Sequence, residues 1–236
     1  MKEYQNYLFD LYGTLVDIHT DEENDILWKR MCVLLRADSV FYSPAELRAK
    51  YLTMVAEEES RAQKIRGTGA EIDIGNIFES FYAKENIPVD DQKIAQVAQI
   101  FRMLSLEKLR LFPGVIHLLE TLRKRNKDIY LLSNAQALFT LPELRALGLE
   151  QYFDGIIISS CEGYKKPSET LYHIAMERYA LCASQSVMIG NDDRADCWGA
   201  ANVGLDSMYI QTEQSPTLIH PLPQNCRVLN SITEVL

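Results

Sequence analysis

Four short polar stretches of the sequence carry residue types that can bind an anionic group and react with it. The first contains Asp10, which follows the apolar run of residues 6–9 and precedes Gly13 and Thr14. Residues 6–9 are predicted to form a buried strand, which places Asp10 at its carboxyl end. Open α/β sheets bind their ligands at this end of the strands. Gly13 permits a sharp turn there, and Thr14 adds a hydroxyl beside the carboxylate.

The other three stretches also follow predicted strands. They contain Ser133 and Asn134 after residues 128–132, Lys165 and Lys166 beyond residues 155–158, and Asn191, Asp192, Asp193 and Asp196 after residues 186–189. Because the carboxyl ends of parallel strands meet at one edge of a sheet, we expect these side chains to lie near Asp10 and Tyr12.

This combination of groups suits phosphoryl transfer. Asp10 and Asp192 would repel each other at close range unless a proton or a metal ion separated them. Dense carboxylate oxygens favour Mg²⁺, which would neutralise the acids and let an anionic group approach Asp10. Ser133 can donate to a substrate oxygen, and a lysine can offset the substrate's charge. Asp10 is then free to attack as a nucleophile, forming an acyl phosphate or an ester.

Four amphipathic helices are predicted between the first stretch and the other three. Their apolar residues recur with helical spacing, beginning near Leu27, Leu47, Ile74 and Ile94. Capping boxes at residues 20–23 and 43–46 are expected to open the first two helices. Four helices in a row without a strand between them indicate a small antiparallel bundle.

From residue 111 onward, strands alternate with helices, including short helices predicted over residues 142–147 and 196–203. Repeated strand–helix units predict a parallel sheet with right-handed crossovers. The expected fold class is α/β, with a Rossmann-like core at residues 1–17 and 111–236 and an inserted helical bundle at residues 18–110. Because the insert begins and ends near the reactive residues, we expect it to act as a lid.

The composition argues against several classes of partner. The chain has 236 residues, 47% hydrophobic and 24% charged, with a formal net charge of -9. It therefore offers no overall positive field for nucleic acid or a membrane surface, and a small anionic substrate has to be met by local lysine or bound metal. Five cysteines without a CxxC pair indicate free thiols, and no apolar run approaches the ~18 residues of a membrane helix. We expect a cytoplasmic protein.

The four stretches resemble, in order, the motifs of the haloacid dehalogenase (HAD) superfamily, in subgroup IA, whose helical C1-type cap follows the first motif. The matching segments are residues 9–15, 132–134, 166–167 and 189–192, the last with Asp196, Gly199 and Ala200. The resemblance covers essentially the whole chain. It implies a Rossmann-like core whose active site is gated by the cap.

The resemblance also assigns roles to individual residues. It implies that Asp10 is the nucleophile, that Ser133 and Asn134 hold the transferred group, and that Lys166 steadies the charge between nucleophile and substrate. Tyr12 and Thr14 complete the predicted catalytic set. The implied ligands of Mg²⁺ are Asp10, the carbonyl of Tyr12, Asn191, Asp192 and Asp196.

Two positions depart from the pattern of the family's phosphatases. Those enzymes usually carry Asp two residues after the nucleophile as a general acid, and Tyr12 stands there in this chain. A phenol with a reference pKa of ~10 is a poor match for that role near neutral pH. Asn191 stands where many phosphatases have Asp, which makes Asp192 the main expected metal ligand, with either Asp193 or Asp196 behind it. Tyr12 and Tyr172 instead resemble the haloacid dehalogenases proper, whose fourth motif binds no metal and lacks these carboxylates.

Three functions therefore stay open. The first is a Mg²⁺-dependent phosphatase that acts on a small phosphomonoester through a phospho-aspartate at Asp10. The second is a metal-independent 2-haloacid dehalogenase. The third is a weakly catalytic family member that binds a phosphorylated ligand or a partner protein. The oligomeric state has no signature in the sequence.

Overall fold

A computed structural model describes residues 2–218 and 221–236 of the chain. Its strands are β1 (Asn6–Phe9), β2 (Val16–Thr20), β3 (Leu106–Leu111), β4 (Asp128–Ser133), β5 (Gly155–Ile158), β6 (Ser186–Gly190), β7 (Asp206–Ile210) and β8 (Cys226–Leu229). Its α-helices are α1 (Asp25–Ala37), α2 (Pro44–Arg66), α3 (Ile74–Ala83), α4 (Asp91–Ser105), α5 (Val115–Lys124), α6 (Ala137–Ala146), α7 (Ser159–Glu162), α8 (Glu169–Arg178) and α9 (Gly199–Asn202). A π-helix covers Asp193–Trp198, and 3-10 turns cover Glu150–Tyr152, Ala183–Gln185 and Ile232–Val235.

The main sheet has six strands in the order β5-β4-β1-β6-β7-β8. Neighbouring strands run parallel throughout, and β1 lies between β4 and β6. This confirms the predicted α/β fold with a parallel sheet. Since the chain returns to β4 and β6 on either side of β1, the segments that follow these three strands meet around Asp10.

Three buried apolar clusters hold the molecule together. Successive strand residues point to opposite faces of the sheet, so Phe9 packs into the cluster on one face and Leu8 into the cluster on the other. The third cluster lies among α1–α4, where Phe78 and Phe101 are fully buried. Phe139 of α6 also belongs to the third cluster, which therefore extends from the helical bundle onto the core.

A two-stranded antiparallel ribbon, β2 with β3, joins the bundle to the core and was missed from the sequence. The ribbon pairs Val16 with Leu111 and Thr20 with Leu106. Because Thr20 is a ribbon residue, the capping box predicted at residues 20–23 is wrong, and the side chain of Asn24 caps α1 by accepting from the N–H of Ile26. The capping box predicted at Ser43 and Glu46 is present at the start of α2.

Three further elements differ from the predictions. The helix predicted over residues 142–147 is α6, which begins five residues earlier and contains Pro142 within its length. The polar residues after β5, for which no helix was predicted, form the short helix α7. The helix predicted over residues 196–203 is the π-helix followed by α9, a wider turn that sequence periodicity does not reveal.

The loop between α2 and α3 provides a further contact between the bundle and the core. The N–H of Lys165 donates to the carbonyl of Gly69 at 2.7 Å, and the N–H of Glu71 donates to the carbonyl of Gly163 at 2.9 Å. The Ser159 hydroxyl donates to the Glu71 carboxylate at 2.7 Å. Among the helices of the described residues, none combines the length and the apolar character needed to cross a membrane.

Candidate active site

Asp10 follows β1 at the carboxyl end of the sheet. Its backbone N–H donates to the carbonyl of Ile189 in β6 at 2.9 Å, and the residue is only 8% exposed. The Thr14 hydroxyl lies 3.2 Å from Oδ2 of Asp10 and 3.2 Å from Oδ1 of Asn191. Because a hydroxyl carries one proton, Thr14 can donate to only one of these oxygens at a time.

The turn after Asp10 depends on Gly13. Its φ of +84° lies in the left-handed region, and a Cβ at this position would lie 2.3 Å from Nδ2 of Asn191. Glycine is therefore needed both for the backbone conformation and for the approach of Asn191. The turn is closed by the N–H of Gly13, which donates to the carbonyl of Val16 at 2.8 Å.

Lys166 connects Asp10 to the fourth motif. Its Nζ lies 2.8 Å from Oδ1 of Asp10, 2.7 Å from Oδ1 of Asp196 and 2.7 Å from the carbonyl of Leu132. Burial alone would lower the pKa of Lys166, but the two carboxylates raise it, so the ammonium stays charged. A buried cation paired in this way holds Asp10 in one orientation.

The side chain of Asn134 holds the backbone of Lys166. Its Nδ2 donates to the Lys166 carbonyl at 2.9 Å, and its Oδ1 accepts from the Lys166 N–H at 2.7 Å. The predicted role of Asn134 was to contact the transferred group. Its amide nevertheless has a structural task, which is to place Lys166 against Asp10.

The two carboxylates of the fourth motif are held differently. Oδ1 of Asp192 caps the π-helix by accepting from the N–H groups of Arg194 and Ala195 at 2.9 and 2.7 Å. Asp196 is 1% exposed, and both of its oxygens accept hydrogen bonds, one from Lys166 and one from the N–H of Asp192. Burial raises the pKa of Asp196 to about 7, an effect that Lys166 opposes and Asp10 reinforces.

Ser133 is the last residue of β4, and its hydroxyl finds no partner in the described part of the chain. The residue is fully buried, and its Oγ has no hydrogen-bond partner in residues 2–218 and 221–236. An unpaired buried hydroxyl is costly. The cost would be removed if a bound ligand accepted from this hydroxyl, and the predicted role of Ser133 in holding the transferred group stays a prediction.

The Tyr12 side chain points to the junction between core and bundle. Its hydroxyl donates to Oε2 of Glu143 at 2.5 Å and lies 3.0 Å from Oγ1 of Thr140, both on α6. The other oxygen of Glu143 accepts from Nε of Arg102, on α4, at 2.6 Å. Burial and the neighbouring Glu143 raise the pKa of Tyr12 above its usual range. Tyr12, Glu143 and Arg102 together form what we call the junction cluster.

Tyr172 is the second tyrosine whose position resembles that of a tyrosine in the dehalogenases. Its hydroxyl forms a hydrogen bond within the core. Tyr172 is fully buried, and its hydroxyl donates to the carbonyl of Ala195 at 2.8 Å. Its ring also packs against Gly199, where a Cβ would lie 2.7 Å from the ring. Tyr172 therefore supports the backbone of the fourth motif.

A cavity of about 180 Å³ opens beside Asp10. Its wall includes Tyr12, Asn134, Lys166 and the fourth-motif residues Asn191, Asp192 and Asp196. Gln214 and Pro216, from the segment after β7, complete the wall. That segment is fastened to β2, because the Gln214 amide donates to Oδ1 of Asp17 and to the carbonyl of Ile18, both at 2.7 Å.

Four residues at or around this cavity were missed from the sequence: Arg102, Glu143, Gln214 and Pro216. A usable signal existed only for Glu143, which shares the buried face of α6 with Phe139, Thr140 and Leu144. A carboxylate at a buried helix position needs a partner. Arg102, Gln214 and Pro216 reach this region because the fold brings together segments that are far apart in the chain.

Comparison with known proteins identifies the family of the chain. A family model described as haloacid dehalogenase-like hydrolase matches residues 4–204. The chain belongs to this family. The predicted family membership and hydrolase class are thereby confirmed.

Individual family members resemble the chain over different lengths. The ribulose-1,5-bisphosphate 5-phosphatase of Halopiger xanaduensis is 34% identical over 109 residues, which cover 46% of each chain. Among solved structures, a 2-haloacid dehalogenase from Pseudomonas syringae pv. Tomato DC3000 aligns over 98% of this chain and 96% of its own, with a TM-score of 0.66 and 20% identity. A HAD phosphatase from Thermococcus onnurineus aligns over 98% and 95%, with a TM-score of 0.62 and 18% identity. At these identities the structural likeness establishes the fold and does not separate the two reactions.

The donor chemistry of the cavity fits the Mg²⁺ ion used by phosphatases of the family. Residues with oxygen donors line the cavity: Asp10 and Asp192 bring carboxylates, Asn191 brings an amide, and Tyr12 is the residue whose backbone carbonyl is the predicted ligand. The described part of the chain contains no group of three His, Cys, Asp or Glu side chains arranged for a metal. Mg²⁺ does not need such a group, because it is commonly held by one or two carboxylates together with water and substrate phosphate. Both oxygens of Asp196 already accept hydrogen bonds within the protein, so Asp196 suits a position behind the metal ligands and not in contact with the ion.

Proposed function

We propose that this HAD-like hydrolase is a cytoplasmic, Mg²⁺-dependent phosphatase that acts on a small phosphomonoester through a phospho-aspartate at Asp10. The observation that carries the proposal is the placement of Lys166, whose Nζ lies 2.8 Å from Oδ1 of Asp10 on the wall that also bears Asp192. A nucleophile, a fixed cation and a further carboxylate at one cavity are the parts that phosphoryl transfer requires.

Each residue has a defined task in this reaction. An oxygen of Asp10 attacks phosphorus while the bond to the leaving oxygen breaks, which forms an acyl phosphate. The Ser133 hydroxyl, which lacks a partner in the described structure, donates to an oxygen of the transferred group. Lys166 orients Asp10 and balances its charge. Water then cleaves the acyl phosphate, releasing phosphate and restoring Asp10.

Bound Mg²⁺ would be held by Asp10, the carbonyl of Tyr12, Asn191 and Asp192, and would neutralise the charge of the phosphoryl group. The curated relative from Halopiger xanaduensis, a phosphatase by name, supports this reaction class. Because the match covers about half the length of that relative, its substrate is not transferred to this chain.

The test is phosphate release from a panel of small phosphate esters by the purified protein, with Mg²⁺ and after chelation. We expect turnover that chelator abolishes and Mg²⁺ restores. Asp10→Asn should lose turnover, whereas Asp25→Asn, at an exposed carboxylate in the first turn of α1, should retain it. Turnover that ignores the chelator would rule out the proposal.

A second candidate, a metal-independent 2-haloacid dehalogenase, is favoured by one observation. Tyr12 occupies the position of the phosphatase general acid, and its hydroxyl is bound to Glu143 rather than directed at a substrate. Halide departs without a proton and needs no such acid. Each enantiomer of 2-chloropropionate is assayed for halide release to test this candidate. The candidate is removed if neither enantiomer releases halide.

A further inference from the structure

The side chains around the cavity determine which leaving groups the site can release. When Asp10 attacks phosphorus, the leaving oxygen takes the electron pair of the broken bond. It must either accept a proton from the protein or be stable as an anion. The side chains of the cavity wall that carry a proton, or that titrate near neutral pH, can be considered one by one.

Tyr12 cannot easily supply the proton. Its hydroxyl donates to Oε2 of Glu143, a carboxylate that is 6% exposed on α6. Turning the hydroxyl toward the cavity would leave Glu143 with Arg102 as its remaining partner within the junction cluster. Breaking a charged hydrogen bond at a buried carboxylate is unfavourable, so the proton of Tyr12 stays at the junction.

Lys166 has no proton to spare either. An ammonium group has three N–H donors. Nζ of Lys166 has three acceptors within 2.8 Å, namely Asp10, Asp196 and the carbonyl of Leu132. Each donor is therefore matched by an acceptor inside the protein, and none is directed at a leaving group.

The fourth-motif carboxylates on the wall act as hydrogen-bond acceptors, and the amide of Gln214 donates within the protein. Asp196 accepts through both oxygens, and Asp192 accepts from two backbone N–H groups, both through Oδ1. The amide of Gln214 donates to Asp17 and to the carbonyl of Ile18. In the described part of the wall, the hydrogen bonds thus leave no side chain that is placed to protonate a leaving oxygen.

We propose that the substrates are phosphorylated compounds whose leaving oxygen is stable as an anion, which are acyl, enol and aryl phosphates rather than phosphates of simple alcohols. This inference rests on the proposed phosphatase function and narrows its substrate class. The bond from Asp10 to phosphorus forms as the bond from phosphorus to the leaving oxygen breaks. The carboxylate, enolate or phenolate then departs with the electron pair, and no proton is transferred in that step.

The experiment compares kcat/KM, which reports the steps up to transfer onto Asp10, for phosphorylated compounds of graded leaving-group acidity. The compounds are acetyl phosphate, 4-nitrophenyl phosphate, phenyl phosphate (leaving group of pKa about 10, like tyrosine) and glycerol phosphate, all with Mg²⁺. We expect kcat/KM to fall steadily along this series. Glycerol phosphate should react at least about 10²-fold more slowly than 4-nitrophenyl phosphate. A general acid typically accelerates such a reaction by at least this factor, and the acceleration is lost when the acid is missing.

Tyr12→Phe provides the matched variant, because it keeps the ring and removes the hydroxyl. If that hydroxyl protonates nothing, the variant keeps the wild-type slope of kcat/KM against leaving-group pKa. A flat series in the wild type overturns the inference and leaves the phosphatase proposal intact. A selective loss of glycerol phosphate turnover in Tyr12→Phe also overturns the inference, since it would make Tyr12 the acid. Release of phosphate from none of the four compounds overturns the phosphatase proposal and this inference with it.

Discussion

Asn134 and Lys166 are joined by two reciprocal hydrogen bonds, in which the side-chain amide of Asn134 serves both the N–H and the carbonyl of Lys166. The Asn134 amide thereby satisfies the backbone N–H and carbonyl of Lys166 as a neighbouring strand would in a sheet. The arrangement fixes the backbone from which the Lys166 side chain reaches Asp10. The second motif therefore positions the third motif.

Replacing Asn134 with Ala should therefore damage the site through Lys166. Loss of both hydrogen bonds is expected to lower the free energy of unfolding by about 1–3 kcal/mol, because the Lys166 backbone loses its partners. We expect turnover to fall at least about tenfold, as Asp10 loses its fixed orientation. Urea unfolding and steady-state kinetics measure the two effects. Gln63→Ala, at an exposed amide on α2, is the control and should change neither quantity.

The junction cluster yields a prediction about the contact between bundle and core. Arg102→Met removes the cation that pairs with the buried Glu143 and should destabilise the protein by about 3–5 kcal/mol, because an uncompensated charge remains. Adding Glu143→Met should recover much of this loss. Urea unfolding of the two single variants and the double variant measures the coupling.

The exposed pair of Arg48 and Glu23 is the control for the junction cluster. Its N–O distance of 2.7 Å is similar to the 2.6 Å between Arg102 and Glu143. Removing Arg48 should nevertheless cost at most about 1 kcal/mol, because solvent screens the charges. Equal losses at the two pairs would contradict the importance of burial at the junction.

The metal site can be tested by calorimetric titration of the protein with Mg²⁺. Asp192→Asn should weaken Mg²⁺ binding by at least about tenfold, because one of the two expected carboxylate ligands is lost. Asn191→Asp should strengthen binding, since it adds a carboxylate to the same wall. Asp91→Asn, at an exposed carboxylate on α4, should bind Mg²⁺ like the wild type. Unchanged binding in Asp192→Asn would exclude Asp192 as a ligand.

The bundle has a pH-dependent contact at Asp38, which joins the end of α1 to α3 and α4. Burial by itself would raise the pKa of Asp38, but hydrogen bonds from Lys93 and Tyr82 outweigh it and lower the pKa. A carboxyl with a lowered folded-state pKa stabilises the protein above its unfolded pKa of about 3.9 and loses this contribution as the pH falls through the folded value.

Asp38→Asn should consequently be less stable than the wild type by about 1 kcal/mol at pH 7, because the amide cannot pair with the charge of Lys93. At a pH below both pKa values of Asp38 the difference should disappear, since the wild-type carboxyl is then neutral too. Urea unfolding at the two pH values provides the comparison. A difference that persists in acid would mean that packing, and not charge, accounts for the effect of the substitution.

The convergence of the four motifs on one cavity could be foreseen because parallel strands share a carboxyl edge. Lys166 reaches Asp10 across 156 positions in the chain, and the topology alone brings them together. The helical bundle could also be predicted, because helical periodicity is a local property of the sequence. These parts of the fold depend on repeated local patterns.

The direction of the Tyr12 side chain could not be foreseen. It depends on Glu143 and Arg102, which lie on two helices far from Tyr12 in sequence. The β2–β3 ribbon was missed although Val16 and Ile18 alternate with polar residues, because a five-residue strand offers few repeats. The capping box at Thr20 failed for a similar reason, as pairing of Thr20 with Leu106 overrode the local signal.

The most direct test of the central claim is mass spectrometry of the enzyme quenched rapidly in acid during turnover of 4-nitrophenyl phosphate. With Mg²⁺ present, we predict one added phosphoryl group on the peptide that contains Asp10, and none after chelation. Asp10→Asn should carry no such group. Turnover by the wild type without this adduct, or an adduct on the same peptide in Asp10→Asn, would contradict the account.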